Sequence, residues 1–301
     1  MFKNVMVYRL ASPAFPLDQA EAALDAGRYV ECTATQDKSV GWVPPRGQEH
    51  GALIESIQGH WILKLMIESK SVPGHLVRRK ADEQAAEIEA QTGRRPGKKQ
   101  LREMREDIVL SLLPQAFAKQ ACVVVWLDWA HQRLVLDAGS QAKADEALAM
   151  LMKCLPQLQL TLLQTTLSPQ AAMTGWLLSM EPDVPQLGDF HIEREGVLKA
   201  TAEEVSSIRY TRHPLRNDEV RQHVHCGMLP TQLALSWDAR VGFTLTETLQ
   251  LKKVKFLDGD PDASLPETAD ERFDADVALS TGMLAPMIGA LIDVLGGELQ
   301  H

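Results

Sequence analysis

The sequence predicts an α+β fold in which antiparallel sheets and helices follow one another without regular alternation. Three observations carry that expectation. Two β-rich runs, 122–127 and 133–137, flank a short polar turn and read as a hairpin. Three consecutive runs, 231–237, 240–246 and 248–256, read as an antiparallel meander. Ahead of the hairpin lies a helical stretch over about 75–113, in which Leu101, Met104, Ile108 and Leu112 fall at 3- and 4-residue spacing on one buried stripe.

The remaining elements follow in chain order. Val5, Val7 and Leu10 mark 4–10 as a strand, and 17–26 reads as a short helix ended by Gly27. Gly41-Trp42-Val43-Pro44-Pro45-Arg46-Gly47 reads as an extended loop, because two prolines remove backbone donors and disfavour helix before them. Residues 60–67 form the next strand. The long helical stretch is interrupted at Gly93-Arg94-Arg95-Pro96-Gly97 and closed by Pro114. After the hairpin, Ser140 caps a helix to about 154, 158–163 is a strand, and Ser168-Pro169 opens a helix to about 180. Residues 189–195 and 197–200 suggest a hairpin through Gly196. A compact helix over 217–226 ends at Gly227, and a closing helix over about 281–295 follows an acidic loop at 258–271.

At 301 residues the chain has room for about two domains or one extended multi-part unit. Hydrophobic residues make up 45% and charged residues 24%, which fits an ordinary folded protein and argues against disorder. The first ten residues lack the pattern of a signal peptide, and no apolar run is expected to span a bilayer, so a cytoplasmic protein is expected. Cys32, Cys122, Cys154 and Cys226 are far apart and read as small core residues in a reducing compartment.

The formal net charge is −9, yet its distribution matters more than its sum. From Asp258 onward there are ten acids and one base, Arg272, so the first 257 residues are neutral overall. Within them the bases cluster. Arg78, Arg79, Lys80, Arg94, Arg95, Lys98, Lys99 and Arg102 make 75–113 a helical basic tip; Arg209, Arg212 and Arg216 flank Tyr210 without an acid between 205 and 217. Lys252, Lys253 and Lys255 sit on the last meander strand. These clusters fit a polyanion-binding surface and equally fit ordinary solvated faces.

Motifs for catalysis are poor. Gly93-x-x-x-Gly97-Lys98-Lys99 is one residue short of a phosphate loop and lacks the following Ser or Thr. Asp258-Gly259-Asp260-Pro261-Asp262 resembles the start of a calcium loop, but Ala263 stands where Gly is needed. His223 and His225 are two apart on a helix and diverge, which argues against zinc with His213 and Cys226. Asp274 and Asp276 are candidate magnesium ligands of a nuclease, though Arg272 is available to pair with them. No enzyme is expected, and no cofactor or metal.

Several segments together resemble the RdgC family of bacterial recombination-associated proteins: Phe2-Lys-Asn-Val-Met-Val-Tyr-Arg-Leu10, Gly41-Trp-Val-Pro-Pro45, Ser111-Leu-Leu-Pro-Gln-Ala-Phe117, Leu233-Ala-Leu-Ser-Trp237, and Arg272-Phe-Asp-Ala-Asp276 on through Thr281-Gly282 to Glu298. They occur in family order along the whole chain. The resemblance implies a single chain over 1–301, with 229–301 as a meander, acidic loop and closing helix. It implies a horseshoe-shaped subunit that pairs into a ring homodimer around duplex DNA without reading its sequence, with single-stranded DNA left open. Such a ring would limit access of the RecA recombinase and be nucleoid-associated, without membrane contact. It places Phe117, Arg212 and His213 at a subunit contact, and Lys252, Lys253 and Lys255 at DNA phosphates, where the rival reading is charges that blunt an edge strand.

Overall fold

The computed structural model of the protein describes residues 1–179, 187–200, 206–257 and 268–299. The acidic loop and its Asp258, Asp260 and Asp262 lie outside the described residues. Among those described, the architecture is α+β as expected, with seven α-helices and one twelve-stranded antiparallel sheet.

The strands are β1 (Val5–Leu10), β2 (Lys38–Val43), β3 (Ile54–Ile57), β4 (His60–Lys70), β5 (Ala118–Asp128), β6 (Arg133–Asp137), β7 (Leu160–Leu162), β8 (Phe190–Ala200), β9 (Ser207–Thr211), β10 (Met228–Trp237), β11 (Val241–Thr246) and β12 (Leu251–Phe256). Their lateral order is β2-β4-β5-β6-β1-β12-β11-β10-β8-β9, with β3 added to β4 and β7 to β1. The helices are α1 (Leu17–Asp25), α2 (Gly74–Thr92), α3 (Lys98–Leu112), α4 (Gln141–Cys154), α5 (Pro169–Leu178), α6 (Asp218–His225) and α7 (Ala269–Val294).

Side-chain alternation on β1 explains the layering, because successive residues of a strand point to opposite faces. Val5 and Val7 enter a core with α5, α6 and α7, whereas Met6, Tyr8 and Leu10 enter a second core with α1 and α4. α1 and α4 thus cover one face of the β1–β6 part, while the core of α7 also takes Ile62, Trp126 and Val135 from the other face of that part; β1 is buried on both faces and belongs to both cores. Beyond β1, the strands β12, β11, β10 and β8 turn Leu251, Leu245, Phe243, Leu235 and Leu198 toward α5–α7. No described helix covers their other face. The α2–α3 pair extends from the ends of β4 and β5 as an arm with a small core of Val77, Ala81 and Ile108.

Several expectations are corrected. Gly41-Trp42-Val43 is strand, not loop: it ends β2, and the neighbouring backbone passes so close that a Cβ on Gly41 would lie 2.4 Å from Tyr29 Cα. Gly196 is not a turn. β8 runs straight through it and pairs with β9, and a Cβ there would meet Leu215 Cδ1 at 3.0 Å. α7 begins twelve residues before the expected 281, started by a capping box in which Thr268 and Glu271 bond each other's backbone N–H.

By length and composition α7 is apolar enough to cross a membrane, which the sequence reading missed. Its Val277, Leu284, Met287, Ile288 and Leu291 are instead buried in the core. On the arm stripe only Ile108 is fully buried, with Leu101, Met104 and Leu112 partly exposed, because just one other helix packs there. Of the cysteines expected in the core, only Cys154 packs against one, and it is half-buried; Cys122 and Cys226 are exposed and Cys32 is half-buried.

Candidate nucleic-acid interface

In a regular strand, lysines at 252, 253 and 255 would be divided between the two faces. A bulge prevents this. Thr244 pairs with Lys252 and Gly242 with Lys255, so Phe243 alone stands against both Lys253 and Val254. Lys253 absorbs the extra residue with φ +54°, in the left-handed region. Val254 consequently turns inward and is buried, while all three lysines take the face that no described helix covers.

The edge-strand expectation for these lysines is also corrected. β12 is interior, paired on one side with β11 and on the other with β1 through Val5 and Leu251, and Val254 N donates to Lys3 O at 2.9 Å. The lysines project from a sheet face.

Neighbouring strands bring further cations to that face. Lys253 and Lys255 line a hollow of about 450 Å³ with Arg194, Arg212 and Thr244. An adjoining hollow of about 310 Å³ is lined by Arg209, Gln232, Thr244 and Lys253. Arg212 reaches its position through a left-handed backbone, φ +55°. Lys199 lies two residues along β8 from Val197, which pairs with Arg209, so it shares the face. Sequence alone hides Arg194 and Lys199 because Gly196 reads as a turn; the alternation of β8 carried through that glycine includes Lys199. Two acids interrupt the patch: Glu193, which accepts from Ser236 Oγ at 2.7 Å, and Glu195, 3.6 Å from Lys253 Nζ.

The other predicted bases form a separate group. Arg78, Arg79 and Lys80 lie on α2, Arg94 and Arg95 in its connection to α3, and Lys98 and Lys99 at the start of α3. All but Lys80 are exposed. Gly93, at φ +71°, caps α2 in the left-handed conformation. Exposed i,i+4 pairs engage some of the charge: Arg79 with Glu83, Lys99 with Glu103 and Arg102 with Glu106. Neither of the two hollows that the β12 lysines line includes a residue of this arm.

Phe117 stands at the root of the arm, between the 3-10 turn at Leu113–Gln115 and β5, and is 95% exposed. It is not a core residue. His213, by contrast, faces its own chain: the ring stacks on Tyr210 at 5.4 Å, Nε2 accepts from Asn217 Nδ2 at 2.9 Å, and Glu219 lies 3.7 Å away. Asn217 in turn accepts from Val220 N to cap α6.

The acidic pair on α7 is divided. Asp274 accepts from Arg46 Nη2 at 2.6 Å, while Arg46 Nε bonds Glu55 at 2.9 Å and the guanidinium lies 4.8 Å from the Phe273 ring centroid. Burial alone would lower the Arg46 pKa, but the hydrogen bonds to Glu55 and Asp274 outweigh it and hold it above the ordinary value. The partner of Asp274 is thus Arg46, on the loop after β2, and Asp276 is exposed. Among the described residues no three His, Cys, Asp or Glu side chains are grouped to hold a metal.

Fold and site together define an α+β protein on one long antiparallel sheet, with a cationic sheet face and a basic helical arm. A family model described as "Putative exonuclease, RdgC" matches residues 1–298. The recombination-associated protein RdgC of Dechloromonas aromatica is 41% identical over 304 residues, covering 99% of this chain and 98% of that protein. Those of Bordetella pertussis and Herminiimonas arsenicoxydans are 40% and 39% identical, with the same coverage. The chain belongs to the RdgC family, as the sequence segments implied.

Proposed function

We propose that this chain is a non-catalytic, sequence-independent DNA-binding protein that acts in recombination by occupying DNA and so limiting RecA access. The observation that carries this is the bulged β12, which gathers Lys252, Lys253 and Lys255 on one uncovered sheet face beside Arg209 and Arg212, on a chain of net charge −9. A cationic face on an acidic protein concentrates a polyanion at one place and repels it elsewhere. Such a face holds phosphates and reads no bases.

The working form is a homodimer closed into a ring around duplex DNA, with Phe117 at a subunit contact and Arg212 and His213 near it. The 95% exposure of Phe117 supports an aromatic that waits for a partner. The arm bases Arg78, Arg79, Lys80, Arg94, Arg95, Lys98 and Lys99 provide a second set of phosphate contacts. The relatives are named for recombination, and a protein that acts by occupying DNA works at the nucleoid.

Fluorescence anisotropy with a short labelled duplex of arbitrary sequence tests the proposal. Expected is binding that unrelated DNA competes equally and that weakens by about 0.9 log units per log unit of salt for each phosphate neutralised. No binding at low salt overturns it. The family model's exonuclease description keeps a nuclease as the second reading. With Asp274 held by Arg46, plasmid incubated with magnesium or manganese should stay intact; nicking that Asp274→Asn and Asp276→Asn abolish would establish the nuclease.

A further inference from the structure

We infer that Glu195 is a built-in competitor for phosphate at Lys253, which keeps the affinity of the cationic face for the DNA backbone below what its bases alone would give. This rests on the DNA-binding reading of that face and concerns how the site is regulated.

The placement comes from an irregularity in β8. Leu233 pairs with Gly196 and Leu235 with Ile192, so Glu193, Arg194 and Glu195 stand against the single residue Ala234. Glu193 and Glu195 share a face by ordinary alternation, and the excess brings the intervening Arg194 to the same 450 Å³ hollow, so that one cation and two carboxylates line it from β8. The two carboxylates have different occupations. Glu193 is held by the Ser236 hydroxyl at 2.7 Å, while Glu195 lies 3.6 Å from the Lys253 ammonium.

The Glu195–Lys253 pair also occupies the boundary of the site. Glu195, Thr244 and Lys253 line both hollows, so a backbone phosphate that passes from the Lys255 side to the Arg209 side must meet this pair. Both side chains are more than half exposed, which makes the pair weak and exchangeable in water. A phosphodiester offers Lys253 an equal negative charge and displaces Glu195, which is left as a like charge beside the backbone. The arrangement favours binding that is reversible over binding that is tight.

The test is duplex binding by the full chain, by anisotropy across a salt series, for wild type, Glu195→Gln, Lys253→Gln and the double variant. Glu195→Gln removes both the carboxylate that phosphate must displace and the like charge left beside the backbone, so it should tighten binding about three- to tenfold near 0.1 M salt, with the gain shrinking toward 1 M as the lost repulsion is screened. In the Lys253→Gln background most of that gain should vanish. A gain of the same size in both backgrounds, or none in the wild type, overturns the inference while leaving the face intact. If reversing Lys252 and Lys255 to Glu leaves wild-type affinity unchanged, the face itself is excluded, and the inference falls with it.

Discussion

Phe117 and Arg46 illustrate two kinds of isolated residue with opposite consequences. A phenyl ring that is 95% exposed adds nothing to the core of its own subunit, so Phe117→Ala should change the unfolding free energy by no more than about 0.5 kcal/mol. On the proposed function, the same variant should shift the protein toward monomer in sedimentation and weaken DNA binding. Arg46 joins the loop after β2 to β3 and α7 through Glu55 and Asp274. Arg46→Ala leaves those carboxylates without their cation; since Asp274 is half exposed, the expected loss is about 2 kcal/mol, below that of a fully buried pair. Denaturant unfolding measures it.

Acid sensitivity also begins at one residue. Burial lowers the His60 pKa below 6.5, and nearby His131 adds to this, against an upward pull from Asp128. His60 Nδ1 accepts from Trp126 Nε1 at 3.2 Å, a bond only the neutral ring can take there. The unfolded chain therefore binds a proton that the folded chain refuses. Stability should be flat above about pH 6.5 and fall as pH drops through that value toward the lowered folded pKa. His60→Gln should remove this part of the pH dependence in a series of unfolding curves.

At the scale of elements, β12 joins a backbone cost to a surface function. Lys253 holds a left-handed conformation that a non-glycine residue adopts at a cost of about 1 kcal/mol, and the bulge needs it to turn Lys252, Lys253 and Lys255 to one face. Lys253→Gly should keep the bulge, raise stability by about 1 kcal/mol and yet weaken DNA binding, as thermal unfolding and anisotropy on one sample would show. Much of the element order was legible: the 122–137 hairpin, the α2–α3 interruption at 93–97 and the Ser168 cap all follow from local chemistry. Failures came where packing overrode local signals. Gly41 and Gly196 look like breakers, but each sits in a strand because a neighbouring group presses where a side chain would be. The capping box at Thr268-x-x-Glu271 is a readable signal, but the acidity around it reads as loop. The three lysines were found in sequence, but their common face was not, because a bulge is a property of the register with β11.

At the scale of the whole molecule, the two cores lie on opposite faces of the sheet and share β1, so neither can lose that strand alone. Val5 and Val7 serve one core, and Met6, Tyr8 and Leu10 the other. The arm is different, since its small core of Val77, Ala81 and Ile108 forms a cluster of its own. The sheet body should therefore unfold in one calorimetric transition. Met6→Ala in one core and Leu284→Ala in the other should each lower that same transition, by about 2–5 kcal/mol, without splitting it. Ile108→Ala should instead speed hydrogen exchange in α2 and α3 and leave the main midpoint nearly unmoved, because local openings of a thinly packed unit lie far below the global unfolding free energy. Two separate transitions for the Met6 and Leu284 variants would show that β1 does not couple the halves. A main midpoint that falls with Ile108→Ala would make the arm part of the body, and the basic surface it carries would then be fixed in place relative to the β12 lysines.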